Sequence, residues 1–342
     1  MSTDVRPTRA LSPTGVLITV CLGVFLASLD QTSVVTALPE VMLDIGIPIS
    51  RLNDVAWMVT AYLLGFTVAM PLLGRVGDVY GHRRLFAGSI LLFGVGSVLV
   101  ALSQGLPWLI AARVVQAVGG GALLPAAIAL ASEGLPRARR PIVFGLVGAA
   151  AEAGAVLGPL YGGIIIELLG WRWIFWTNLP VVAVLLAVLV AVPESHGSRG
   201  KLDIAGGLLL AGGLSLVTVA LAQKTLFAVD SLAPYGAAAA GVALLVALIV
   251  VESKAAEPLF QRTLFLARSF AAAMSAQFLI GTALILALVT VPLMADTVLG
   301  QSPLEGGLRL MRFTGAIPVG PCWEASRCAG LECGLPCSLA WP

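Results

Sequence analysis

Apolar residues recur along this chain in long uninterrupted blocks. They cover about 15–38, 55–73, 85–103, 108–131, 141–166, 173–192, 204–222, 234–251 and 270–294, and part of a further block runs from about 304 to 320. About 20 such residues in a helix cross the hydrocarbon core of a bilayer. Backbone polar groups in lipid must be satisfied within the segment, so a helix is the form such blocks take. The pattern predicts an all-α polytopic membrane protein with nine spans and the approach to a tenth. The connections are short and leave no room for a soluble domain. Residues 1–14 are polar, and the apolar run that follows is too long for the core of a cleavable leader. It reads as the first span.

Composition agrees with that reading. Of 342 residues, 58% are hydrophobic and 11% charged, with a mean hydropathy of +0.99. Soluble domains carry about 25% charged residues, so this chain cannot cover a water-facing surface. The net charge of +2 matters less than where the charges lie. If the N-terminus is inside, the inner connections hold Arg6, Arg9, Arg75, Arg83, Arg84, Arg137, Arg139, Arg140, Arg199, Lys201, Lys254, Arg262 and Arg268. The outer ones hold Arg51, Arg172 and Lys224. This asymmetry predicts a cytoplasmic N-terminus and a multi-pass protein of the cytoplasmic membrane.

The densest polar knot lies at 74–84, Gly-Arg-Val-Gly-Asp-Val-Tyr-Gly-His-Arg-Arg. It is expected to be a tight inner loop, whose glycines let two helix ends approach.

Three ionisable residues fall inside spans, where charge is costly and marks function by default. Asp30, in Leu-Asp-Gln-Thr, is expected in the outer third of the first span, unless the helix ends early there and Asp30 caps it. Arg113 is expected at similar depth in the fourth span. It either pairs with Asp30 across a polar cavity or snorkels to the outer interface. Gln116, three residues on, shares its face and favours the inward reading. Glu152 is expected to lie deepest, near the midplane. It is either a proton-exchanging carboxyl or a structural one that never titrates. Gln31, Trp57, Tyr62 and Gln116 are candidates for the cavity lining.

Gly154, Gly158 and Gly162 recur every fourth residue, with Pro159 and Gly163 beside them. Small-residue stripes let membrane helices approach closely, and the proline removes a helix hydrogen bond. Gly119–Gly121 with Pro125 are expected to make the fourth span irregular in the same way. Trp171, Trp173 and Trp176 read as interface anchors. There is no nucleotide loop, no metal-ligand spacing and no nucleophile paired with a base. The expectation is a non-enzyme without cofactor or metal, driven by an ion gradient.

Residues 74–84, with Gly74, Gly77, Asp78, Gly81, Arg83 and Arg84, resemble the signature between helices two and three of the major facilitator superfamily. The stretches 29–39, 113–121 and 154–163 resemble signatures of its multidrug:proton antiporter branch with fourteen spans. The resemblance implies two six-helix bundles around a central cavity that opens alternately to each side. It implies a proton site at Asp30, coupling through Arg113, and an inner latch formed by the 74–84 residues. It also implies a first bundle over 15–192, a linker over 193–203, two additional helices over 204–251 and the start of a second bundle over 252–318.

The function expected from that branch is proton-coupled efflux of lipophilic or cationic drug-like compounds. The bilayer, a small lipophilic substrate and protons would be its partners, and nucleic acid would not. Residues 319–342 break the pattern. Cys322, Cys328, Cys333 and Cys337 fall there, whereas only Cys21 precedes them. A frameshifted or truncated reading frame is expected, with a disulfide or zinc-binding tail as the alternative. In that case the chain either assembles with another or is a non-transporting remnant or interaction protein.

Overall fold

The computed structural model describes residues 11–48, 52–133, 135–136, 139–193, 204–222, 233–254, 267–297, 305 and 308. The Cys-rich tail, the linker at 194–203 and most of the expected tenth span lie outside the described residues. Helices α1 (Pro13–Ile45), α2 (Leu52–Tyr80), α3 (His82–Ala101), α4 (Leu106–Ser132) and α5 (Arg140–Leu169) are followed by α6 (Trp173–Trp176) and α7 (Asn178–Leu189). Then come α8 (Ile204–Ala222), α9 (Ala233–Lys254) and α10 (Arg268–Thr297). Together α6 and α7 make one interrupted sixth span. The chain is thus an all-α six-helix bundle, two further helices paired with each other, and α10 as the described part of a second bundle. Among the described residues six helices are long and apolar enough to cross a membrane, and Trp173–Leu189, Ala205–Leu221 and Phe270–Leu284 are shorter apolar stretches.

Several helices overrun the apolar blocks that announced them. α1 has 33 residues and is therefore roughly 50 Å long. Ser12 caps its start by accepting from Gly15 N at 3.2 Å, and Pro13 follows in the first turn, where a missing N–H costs nothing. Pro39 does not end the helix, which runs on to a left-handed Gly46 at φ 72°. The early end considered for α1 is thereby excluded, and Asp30 sits in the middle of a continuous helix. α4 is likewise continuous through Gly119–Gly121 and Pro125, not irregular.

The expected loop at 74–84 also contracts. α2 continues to Tyr80 and α3 begins at His82, leaving Gly81 alone between them at φ 98°. A side chain is strained in that backbone region. Gly77 packs where a methyl group would come 2.8 Å from Leu85 and 2.9 Å from His82. The expected cost of Gly81→Val is about 1–3 kcal/mol, read as a lower melting temperature of the detergent-solubilised chain.

The core divides into two apolar clusters along the bundle axis. One gathers Val20, Val24, Phe86, Ile90, Phe93, Leu123 and Leu185. The other gathers Val34, Val41, Met58, Leu109, Trp171 and Phe175. Trp171 is 2% exposed and packs edge-on to Phe175, so it belongs to the core rather than to an interface belt. Trp173 is exposed.

The two ends of the bundle are tied differently. At the end carrying the start of α1, Leu11 N donates to Ala191 O at 2.9 Å. Arg83 Nε donates to Leu189 O at 2.9 Å and Arg83 Nη2 to Val190 O at 3.3 Å. The arginine therefore caps carbonyls in the last turn of α7, where helical partners run out, adding to the bond that Leu189 O accepts from Val192 N at 3.2 Å. His82 lies between Asp78 at 3.8 Å and Glu133 at 3.7 Å, and Arg75 is 3.7 Å from Asp78. At the opposite end Arg172 pairs with Asp44 at 2.7 Å and donates to Ser103 O at 3.0 Å. That clasp exists because α1 extends as far as Asp44.

Candidate functional site

Between the two apolar clusters lies a wholly buried polar knot. Asp30 is 1% exposed, and Arg113 and Gln116 are 0% exposed. Arg113 Nη1 donates to Asp30 Oδ2 at 2.8 Å and to Gln116 Oε1 at 2.6 Å. Gln116 Nε2 donates to Asp30 Oδ1 at 3.0 Å and to Ser97 Oγ at 2.9 Å. Asn178 Nδ2 donates to Asp30 Oδ1 at 2.8 Å and to Ser97 Oγ at 3.2 Å. Both carboxylate oxygens are thus engaged by donors from α4 and α7, with α3 joined through Ser97. An ion pair removed from water stands only when such extra bonds accompany it. The ring of Tyr62 lies under the guanidinium, 3.9 Å from its carbon, and Phe175 is further off at 5.6 Å. A guanidinium over an aromatic face gains from the ring quadrupole.

Glycines bring the backbones close enough for these short side chains to meet. On α3, a methyl at Gly96 would lie 2.6 Å from Gln116 N, so α3 rides directly on α4 beside Ser97. On α4, a methyl at Gly119 would lie 2.7 Å from Ser89 O, and one at Gly120 would lie 2.9 Å from Tyr62 Oη. On α5, methyls at Gly158 and Gly162 would lie 2.7 Å from Leu29 O and 2.6 Å from Ser33 O. The stripe therefore presses on the stretch of α1 that carries Asp30. The hydroxyls there bond to their own helix, Ser33 Oγ to Asp30 O at 3.1 Å and Thr36 Oγ1 to Ser33 O at 2.7 Å, which leaves α5 a smooth face. Pro159 and Gly163 are buried in the same helix.

Of the residues expected to act, Asp30, Arg113, Gln116 and Tyr62 meet in one cluster. Tyr62 is 0% exposed and supports Arg113 instead of lining a cavity. Gln31 and Trp57 are half-buried and lie outside the cluster. Glu152 is half-buried, on the flank of α5 turned about 200° from Gly154 at 100° per residue. It therefore points away from α1 and has no ion pair or hydrogen bond among the described residues. Asp30, not Glu152, is the enclosed carboxylate. Asp78, Arg75 and Arg83 are engaged inside the first bundle, as described above. Ser97 and Asn178 were not singled out in the sequence, although a neutral polar residue inside an apolar block is a signal of its own. Among the described residues no group of three or more metal-ligating side chains occurs.

Residues 20–323 match the Major Facilitator Superfamily. The chain belongs to the major facilitator superfamily. It is 38% identical over 309 residues to a probable triacylglyceride transporter of Mycobacterium leprae, covering 87% of this chain and 60% of that protein. It is 37% identical over 322 residues to the triacylglyceride transporter of Mycobacterium tuberculosis strain H37Rv, covering 90% and 61%. The chain thus spans about 60% of the length of these curated relatives. Its fold is similar to that of the proton:xylose symporter XylE, with a TM-score of 0.61 at 16% identity, covering 92% of this chain and 68% of that one. A partially occluded inward-open form of the xylose transporter XylE from E. coli gives 0.54 at 16%, covering 96% and 87%.

These comparisons correct two expectations. The superfamily stands, but the fourteen-span multidrug:proton antiporter branch does not, since these close relatives are triacylglyceride transporters. Drug efflux by antiport, and the antibiotic resistance that goes with it, fall for the same reason. The error has a physical source. The stretches 29–39, 74–84, 113–121 and 154–163 build the ion pair, the tight α2–α3 turn and the glycine contacts between helices. That framework is independent of the cargo, so it cannot distinguish a drug exporter from a lipid transporter.

Proposed function

We propose that the chain is part of a proton-coupled transporter of neutral lipids of the triacylglyceride class across the cytoplasmic membrane. The supporting observation is the enclosed Asp30–Arg113 pair in a chain 36–38% identical to triacylglyceride transporters. A triacylglyceride carries no formal charge and offers nothing for a buried carboxylate to neutralise. Charges inside a membrane bundle are costly and mark ion pathways, so Asp30 is read as the proton carrier and Arg113 as its coupling partner. Membership of the superfamily fits transport rather than catalysis. The arginine-rich end, with Arg75, Arg83 and Arg84, is placed on the cytoplasmic side by the positive-inside rule. Gly74, Gly77, Asp78 and Gly81 with Arg83 and Arg84 form the rigid edge there, against which a second bundle would close. Glu152, on the flank of α5 turned from α1, is a second acidic group available to that bundle.

The test is uptake of a fluorescent triacylglyceride analogue into vesicles holding the chain, with and without an imposed pH gradient. Wild type is expected to show gradient-dependent movement. Asp30→Asn is expected to lose that component by about a hundredfold, in the range seen when a proton-transfer group is removed. Equal gradient-dependent rates in both would rule out Asp30 as the carrier.

A further inference from the structure

The sixth span is interrupted beside the ion pair. α6 ends at Trp176 and α7 begins at Asn178, with Thr177 between them. The interruption is moored on two sides. On one, Thr177 meets the hydroxyl of Tyr161 on α5 and bonds back to Trp173 O and Ile174 O, each at 2.9 Å. These contacts are between neutral groups. On the other, Asn178, 1% exposed, donates to the Asp30 carboxylate at 2.8 Å. This mooring alone depends on a charge.

The geometry points to Asn178 as a positioning residue that makes the α6–α7 interruption respond to the charge on Asp30. The inference rests on the reading of Asp30 as the proton carrier. A hydrogen bond to a carboxylate is roughly twice as strong as one between neutral groups. When a proton from the aqueous side binds a carboxylate oxygen of Asp30, the bond from Asn178 falls to neutral strength. Arg113 stays protonated and keeps Gln116 Oε1 as an acceptor. Gln116 also donates to Asp30 Oδ1, but Arg113 at 2.6 Å and Ser97 at 2.9 Å still hold it in place. Asn178 keeps that weakened bond and one to Ser97, at the longer distance of 3.2 Å. Among the described residues, the charged groups facing the site are Asp30 and Arg113, with the titratable Tyr62 ring beneath the guanidinium and Tyr161 on α5 nearby. The start of α7 is therefore the part of the cluster released by neutralisation. α7 ends on Arg83, which holds Leu189 O and Val190 O, so a change at Asn178 bears on the far end of the bundle through one short helix.

Amide hydrogen exchange across residues 173–182, in the chain held in lipid nanodiscs, reads this directly. Asp30→Asn removes the charge and is expected to raise exchange there by roughly threefold to tenfold, because one charge-assisted bond is lost from a local opening. Asn178→Leu is expected to give the same rise, and adding Asp30→Asn to it no further rise. Unchanged exchange in Asp30→Asn, or a double variant whose effects simply add, would overturn the inference. Either result is compatible with loss of gradient-driven transport in Asp30→Asn, so the carrier reading is judged separately. If Asn178→Leu does not fold, the comparison of wild type with Asp30→Asn still decides the question.

Discussion

Arg113→Leu is expected to destabilise the chain by about 3–5 kcal/mol, the range for leaving a buried charge without its partner. Three features place it at the upper end of single substitutions. Arg113 is 0% exposed and Asp30 1% exposed, so no water reaches the orphaned carboxylate. Gln116 loses the donor to its Oε1 and can turn its amide away from Asp30. The Tyr62 ring loses the cation stacked on it. Removing both charges is the informative control. Asp30→Leu with Arg113→Leu is expected to recover most of the loss, since a buried ion pair replaced by apolar groups is often close to neutral. Unfolding of the four proteins in a detergent titration gives the coupling by a double-mutant cycle. A double variant as damaged as the sum of the singles would mean that the two charges do not act as a pair.

That experiment separates stability from work. A pair kept although apolar replacement costs little is kept for its charge, and transport measured on the same double variant tests this. Gradient-driven movement is expected to be absent in it even where the fold recovers. If the cargo is a neutral lipid, as proposed, it offers no charge for the enclosed carboxylate to meet, and the transport assay tests what the carboxylate is kept for.

Much of this was legible in the sequence. Block length and the placement of arginine gave the helices and their order, because backbone satisfaction in lipid leaves few alternatives. Asp30, Arg113 and Gln116 stood out because polar residues are rare in such blocks. Helix ends were read less well. α1 overruns its apolar block to Asp44, and α2 swallows most of the polar knot at 74–84, because hydropathy marks the lipid-facing length and not the length of the helix. Asn178 escaped because attention went to the charged residues within the blocks, and a neutral amide inside the block 173–192 was passed over. Its importance comes from the interruption at Thr177, and Pro180, which has no N–H to give Trp176 O, was the sign of it in the sequence. The cargo was misread because the stretches that look familiar are those that hold the bundle together.

The glycine stripe of α5 provides the second large effect. Gly158→Leu is expected to cost about 3 kcal/mol or slightly more, at the upper end for overpacking a tight contact. A methyl group there already falls 2.7 Å from Leu29 O and 3.0 Å from Ser33 N. These are backbone atoms of α1 and cannot rotate aside, so α1 must move as a unit. Asp30 lies between Leu29 and Ser33 on that backbone. Its carboxylate makes contacts of 2.8–3.0 Å to α4 and α7, which a shift of about 1 Å would break, given how steeply hydrogen bonds weaken with distance. The substitution should therefore lower both the melting temperature and gradient-driven transport. Gly148 supplies the control on the same helix, because a methyl there meets nothing within 4 Å. Gly148→Ala is expected to be neutral or to stabilise by up to about 1 kcal/mol through helix propensity. Equal damage from both changes would show that α5 needs glycine for its own backbone and not for its contact with α1. Damage confined to Gly158 would place the requirement at the seam that holds Asp30 in register with Arg113.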